Sequence, residues 1–306
     1  MFIKNFAKDI KKNPASYVLL LPAALYTFIF GYLTIPYVVI AFQNFNYQKG
    51  IFGSKWVGLK NFEFFFKSSS ALIVTWNTVR LNLVFIILTT VIALGLSILL
   101  NEIKGRFFPR IAQSCFILPN FISWVIISYI LFSLLSTEYG MINRVLVMIG
   151  KEKVSWYSNP EYWTWILAFV KVWKDAGINT VIFLAAIIGL DGQMYEAAAI
   201  DGASRWQAIR KITIPLLLPT VAILTLISVG KLFYSDFGMI YALVKDNGLL
   251  FPTTDVIDTY VFRALRSTGN PSVSMAVGLY QSLVGFVLVF GSNWLVKKFY
   301  PEGAIY

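Results

Sequence analysis

Six long apolar runs dominate the chain, near 15–42, 74–100, 111–135, 162–190, 214–243 and 272–296. Each reaches the roughly 20 residues a helix needs to cross a hydrocarbon core. The pattern predicts an all-α, polytopic membrane protein with six transmembrane helices. It reads as a single transmembrane domain over 1–306, with a polar insert at 191–215. The first run follows the basic stretch KNFAKDIKKN, is too long for a signal peptide and lacks a small-residue cleavage site, so it reads as a retained helix.

Composition supports the bilayer. Of 306 residues 58% are hydrophobic and 13% charged, and the mean hydropathy is +0.69. Nine Trp and sixteen Tyr suit rings at a water–lipid boundary, and Tyr162, Trp163 and Trp165 read as such a belt. The net charge of +11 is scattered among segments flanking apolar runs, which argues against a nucleic-acid partner and for contact with lipid. Basic clusters at Lys4, Lys8, Lys11 and Lys12, at Lys104, Arg106 and Arg110, at Arg205, Arg210 and Lys211, and at Lys297 and Lys298 abut helix ends. The expectation is that both termini and the insert face the cytoplasm.

The chain has no His and one Cys, so it cannot assemble the usual His/Cys zinc site, a Ser-His-Asp triad or an internal disulfide. No Walker A run occurs, so ATP chemistry would have to come from a partner. Cys115, within an apolar run, reads as a buried structural thiol. No metal site is expected: Asp255 and Asp258 beside Arg263 and Arg266 read as a charge network that orders an outer loop.

The insert, YEAAAIDGASRWQAIRKITIPLLLP over 195–219, has its own grammar. Asp191 is a candidate N-cap for a short helix that Gly202 can end or bend. Ser204 and Gln207 form a capping box for a second short helix from Arg205 to about Ile212. Trp206, Ile209 and Ile212 make an apolar stripe beside Arg205, Gln207, Arg210 and Lys211. Pro215 suits the first turn of the next membrane helix, and Pro219 is expected to kink it. An elbow that fits a groove in another protein and an amphipathic helix lying on the bilayer both satisfy this pattern.

The order Glu196-Ala197-Ala198, Asp201-Gly202-Ala203, Gln207, Ile212-x-Ile214-Pro215 and Pro219 resembles the EAA loop of binding-protein-dependent ABC importer permeases, with Ile214 where leucine is usual. The resemblance runs nearly end to end. Ala41 to Asn46, Trp56 to Phe62 and Phe251 to Tyr260 are similar to carbohydrate permeases that import oligosaccharides from polysaccharide breakdown. The chain is similar to the maltose-type first permease without that subunit's extra N-terminal helices and large outer domain. The resemblance implies a translocation subunit that is not an enzyme and binds no cofactor. It implies four kinds of company: a second, non-identical permease, two copies of a cytoplasmic ATPase carrying ATP and Mg, an extracytoplasmic solute-binding protein, and lipid. Glu196, Ala197, Ala198, Asp201, Gly202, Ala203 and Pro215 would then couple to the ATPase and drive alternating access.

Charges inside the spans are candidates for the cargo path. Lys171, Lys174, Asp175 and Asn179 fall at i, i+3, i+4 and i+8 of the fourth run, and Lys231 and Asp236 fall in the fifth. A charge at a bilayer centre costs about 2.5–3.5 kcal/mol on insertion scales, so these residues should avoid lipid. They read either as a cationic path for uronate-containing sugars or as internal pairs and anchors, with Lys171 and Asp175 paired. Trp173, Phe233, Tyr234 and Tyr241 are candidate sugar platforms. A stand-alone secondary transporter using the Lys and Asp residues as an ion relay is the competing reading. A membrane transferase would need a clustered nucleophile or base that the sequence does not show.

Overall fold

The computed structural model describes Asp9, residues 11–103, Gly105 and residues 107–299. Lys4, Lys8, Lys104 and Arg106 lie outside the described residues.

Four segments run unbroken at membrane-crossing length: Pro14–Phe42, Ser69–Glu102, Arg205–Gly230 and Pro271–Lys298. Two more spans are bent pairs, Phe107–Phe121 with Trp124–Leu135 at 98° and Pro160–Ile188 with Gly192–Ile200 at 68°. Counting each pair once gives up to six candidate spans by length and composition, the number the apolar pattern predicts. The helices used below are α1 (Pro14–Thr27), α2 (Ser69–Glu102), α3 (Phe107–Ile117), α4 (Trp124–Leu135), α5 (Trp163–Ile188), α6 (Gly192–Ile200), α7 (Arg205–Ala208), α8 (Ile214–Gly230), α9 (Phe237–Val244), α10 (Ile257–Arg266) and α11 (Pro271–Phe299). A two-stranded antiparallel ribbon pairs Gln43 with Trp56 and Asn44 with Lys55.

The core is organised by α2, whose 34 residues extend about 51 Å at 1.5 Å per residue. Apart from Asn77 beside Thr78, its buried positions, Ala71, Val74, Thr78, Leu81, Phe85, Thr89, Ala93, Ser97 and Leu100, recur every three or four residues. That stripe lies along α5, the most extensive helix pairing in the molecule. Small residues at Thr89, Ala93 and Ser97 let the backbones approach, the usual basis of packing where lipid supplies no hydrophobic drive. A second close approach joins α5 to α3: a Cβ on Gly177 would stand 1.9 Å from the Phe116 carbonyl oxygen, so only glycine fits.

The bend between α3 and α4 exposes the carbonyls of Pro119, Asn120 and Ile122. Lys174 Nζ donates to all three, at 3.2, 2.7 and 2.6 Å, and sits 5.0 Å from the Trp124 ring centroid. Lys174 is therefore a buried cap for a broken helix end, apart from the cavity that Lys171 and Asp175 line. The sequence placed it with Asp175, but adjacent positions diverge by about 100° around a helix, and Lys174 faces the bend.

Three further expectations change. The fifth run is not one helix over 214–243: α8 stops at Gly230, residues 231–236 are irregular, and α9 follows. Trp163 is fully buried in the core and donates Nε1–H to the Trp156 carbonyl at 2.8 Å, so it is no belt residue, whereas Tyr162 and Trp165 are exposed. Cys115 is exposed. In a membrane chain an apolar neighbourhood is compatible with an outward face, so it does not imply a buried thiol.

Candidate functional site

The break at 231–236, at the end of the Arg205–Gly230 span, leaves backbone groups without helical partners, a state tolerated in a membrane protein where protein or a water-filled cavity surrounds it. Side chains from three helices meet them. Asn82 Nδ2 on α2 donates to the carbonyls of Leu232 (2.8 Å) and Tyr234 (3.3 Å). Gln281 Nε2 on α11 donates to the Phe233 carbonyl at 2.8 Å and to Asp258 Oδ2 at 3.1 Å. Asp258 on α10 accepts from the Ser235 N–H at 2.8 Å; burial raises its pKa above the ordinary carboxylate value, against the lowering effect of those hydrogen bonds. Asp236 ends the break as N-cap of α9, accepting from Met239 N–H at 3.0 Å.

The break borders a cavity of about 320 Å³, at the low end of the roughly 300–1,000 Å³ of ligand pockets. Lys171, Asp175 and Asn179 reach it from α5, Asn82 and Thr89 from α2, and Lys231, Tyr234 and Asp236 from the break. Six of the ten cargo-path and platform candidates thus share one cavity. Trp173 does not: it lines a separate groove with Cys115 and Phe116. Phe233 is buried in the α2–α11 core, and Tyr241 stacks on Phe237 and meets the Phe262 ring edge-on.

Lys171 Nζ lies 2.9 Å from Asp175 Oδ2 and 2.9 Å from Asp236 Oδ2, and Trp124 Nε1 donates to the same Asp236 oxygen at 3.1 Å. The i, i+4 pair expected from the sequence is present, joined by a partner 65 residues away. Elsewhere, Arg263 forks onto Asp255 and reaches Asp246. Asp258 does not join that network, because it is committed to Ser235 and Gln281. Among the described residues no group of three or more His, Cys, Asp or Glu side chains could hold a metal ion.

Sequence reasoning missed Asn82, Trp124 and Gln281, although Asn82 stands inside an apolar run where a polar side chain is itself a signal. The break also had a signal: Ser235-Asp236 before an apolar stretch is a helix-start pattern.

At the insert, Asp191 caps α6 by accepting from Gln193 N–H at 2.9 Å. Gly202, at φ +75°, ends α6 in a Schellman arrangement in which Ala203 N–H donates to Ala198 O (2.9 Å) and Gly202 N–H to Ala199 O (3.1 Å). Ser204 and Gln207 close the capping box at 3.3 and 2.7 Å. The second helix is not a separate piece, as expected, but runs through a π-helical turn at Ile209–Thr213 into α8. Pro215 lacks the N–H that would bond Lys211 four residues back, and the widened turn precedes it. Ala198, Asp201, Gly202, Ala203 and Gln207 line one concavity, whereas Glu196, Ala197 and Pro215 are exposed outside it. Ile200 and Trp206 are 86% and 68% exposed, large apolar side chains left mostly uncovered by the described residues.

Residues 86–300 match the family of binding-protein-dependent transport system inner membrane components. The chain belongs to that family. Two relatives from Bacillus subtilis are similar along nearly their whole length: Protein LplB, 33% identical over 96% of this chain and 92% of the relative, and the polygalacturonan/rhamnogalacturonan transport system permease protein YteP, 35% identical over 94% and 89%. Among solved structures, a chain of a bacterial ABC transporter involved in the import of the acidic polysaccharide alginate superposes with a TM-score of 0.87 at 29% identity, covering 96% of this chain and 99% of that one. A second, of a bacterial alginate ABC transporter in complex with an alginate pentasaccharide-bound periplasmic protein, gives 0.85 at 29% identity over 95% and 97%. As a member of this family the chain is a multi-pass transport component of the inner membrane.

Proposed function

We propose that this permease is one of two non-identical membrane subunits of an ATP-driven importer of oligosaccharides, acidic ones included. The observation that carries the reading is the charged cavity at a break in a membrane helix, the construction expected where a polar cargo crosses at membrane depth. The names of the relatives supply the cargo class, since alginate and polygalacturonan are both uronate polymers. The cavity is small because this chain would supply only one wall of the path, with the second permease supplying the other.

The driving force is assigned to two copies of a cytoplasmic ATPase that carry ATP and Mg. The elbow of α6 and α7 would dock in a groove of that subunit through Ala197, Ala198, Gly202 and Ala203, whose small side chains permit close approach, with Glu196 as a polar contact. The exposed Ile200 and Trp206 supply apolar area for such a surface. In this orientation both termini are cytoplasmic, and the segments around α10 and the 43–56 ribbon meet the solute-binding protein. Arg205, 3.8 Å from Glu102 at the end of α2, provides one route for elbow motion to reach a helix that lines the cavity.

The test is co-purification of the assembled importer together with uptake in vesicles. Wild type should retain an ATPase and a second permease and import a uronate oligosaccharide only with ATP, and Glu196→Lys should release the ATPase while the chain stays inserted. A chain that purifies alone and moves solute without ATP would sink the reading.

A further inference from the structure

The four charges on the cavity are not equivalent. Lys171 is met by Asp175 and Asp236, each at 2.9 Å, so that cluster carries a formal charge of −1, from one Lys and two Asp. A carboxylate approaching Lys171 would meet two fixed carboxylates within the same contact distance. Lys231 stands on the same cavity with an exposed side chain, and among the described residues no acidic side chain pairs with it. An ammonium without a fixed counter-ion can pair with the carboxylate of an anionic cargo.

Three residues along the break, Tyr234 lines the same cavity. The ring is seated against α11: a Cβ on Gly285 would lie 2.8 Å from Tyr234 Cε2, so the absence of a side chain there is what admits the ring. Its hydroxyl donates to Ser282 Oγ at 3.3 Å. The backbone between the two side chains is held by Asn82 and Gln281, so the pair is preorganised. A fixed aromatic face takes the C–H face of a pyranose, and an unpaired ammonium beside it takes a ring carboxylate.

We infer that Lys231 and Tyr234 form the subsite for one uronate unit of the cargo, and that Lys171 is a structural counter-ion that does not read it. This rests on the acidic-oligosaccharide reading above. Tyr234 supplies affinity for a sugar ring of either charge, and Lys231 supplies the preference for the acid.

The assembled importer separates these roles when uptake of a uronate trisaccharide is compared with that of its neutral methyl ester. The binding protein is common to every variant, so a change in the acid-to-ester ratio of kcat/KM reports the permease. Lys231→Gln should reduce that ratio about tenfold, as expected for one lost hydrogen bond to a charged group, mainly through KM. Lys231→Arg should keep most of the preference. Gly285→Ala, which displaces the ring, should raise KM for acid and ester alike and leave their ratio unchanged. Retention of the wild-type ratio by Lys231→Gln, or loss of it in Gly285→Ala alone, overturns the assignment while leaving the importer reading intact. A wild-type importer that moves neither sugar overturns both.

Discussion

The elbow at 191–215 and the break at 231–236 both interrupt an apolar chain with polar residues, yet they are held together differently. In the elbow the capping bonds close within a few residues: Asp191 to Gln193, Ala203 to Ala198, Ser204 to Gln207. In the break the bonds reach across the molecule, 150 residues from Asn82 to Leu232 and 48 from Gln281 to Phe233. A locally closed motif can form and present its surface whatever the bundle does, which suits a part that meets another protein. A break stabilised by three different helices exists only when those helices are docked, which suits a cavity whose shape must follow their motion.

The contrast sets the order of the expected effects. Asn82→Leu removes the donor that two carbonyls of the break share and should cost about 2 kcal/mol, within the roughly 1–3 for the partly buried Leu232 carbonyl, since the Tyr234 carbonyl is open to solvent, with transport lost. Thermal unfolding in detergent reads the first effect and vesicle uptake the second; a variant that melts like wild type would mean that the break does not depend on α2.

Gly202→Val should cost about 1 kcal/mol, the penalty for an L side chain in the left-handed region. Its damage should be confined to the elbow: the melting transition moves little, while ATPase stimulation by cargo falls. A loss of overall stability as large as that of Asn82→Leu would erase the distinction drawn between the two regions.

Asp258 gives the smallest effect. Its pKa is raised in the folded chain, so burial of its carboxyl favours the protonated form. The stability from that form is complete below the ordinary value of about 3.9 and is lost as pH rises through the raised folded value. Asp258→Asn cannot ionise and should flatten the melting temperature against pH over that window. An unchanged pH profile would show that another group governs it.

Capping chemistry made the elbow legible, because N-cap, capping box and terminal glycine act over a handful of residues. Its continuation into α8 was missed because the π turn ahead of Pro215 has no strong compositional sign. In the cavity, the Lys171–Asp175 pair was legible from its spacing, and its second partner, Asp236, was not. Lys174 was misplaced because helical spacing says which residues share a face only to within a stripe; which neighbour each stripe meets is decided by packing. Trp163 was misread for the same reason, since an indole at a span end satisfies a lipid boundary and a core equally well.

By itself, then, the sequence determined that the chain is a polytopic α-helical membrane protein, that a capped elbow forms at 191–215, and which family the whole resembles. These rest on hydropathy and on bonds between near neighbours, both properties of contiguous residues. Only the tertiary structure decided that the fifth span breaks at Gly230, that Lys174 caps a bend, that Lys171 is neutralised twice over and that Lys231 has no acidic partner among the described residues. Each of these depends on a partner brought close by docking helices far apart in the chain, and no local pattern encodes such a distance.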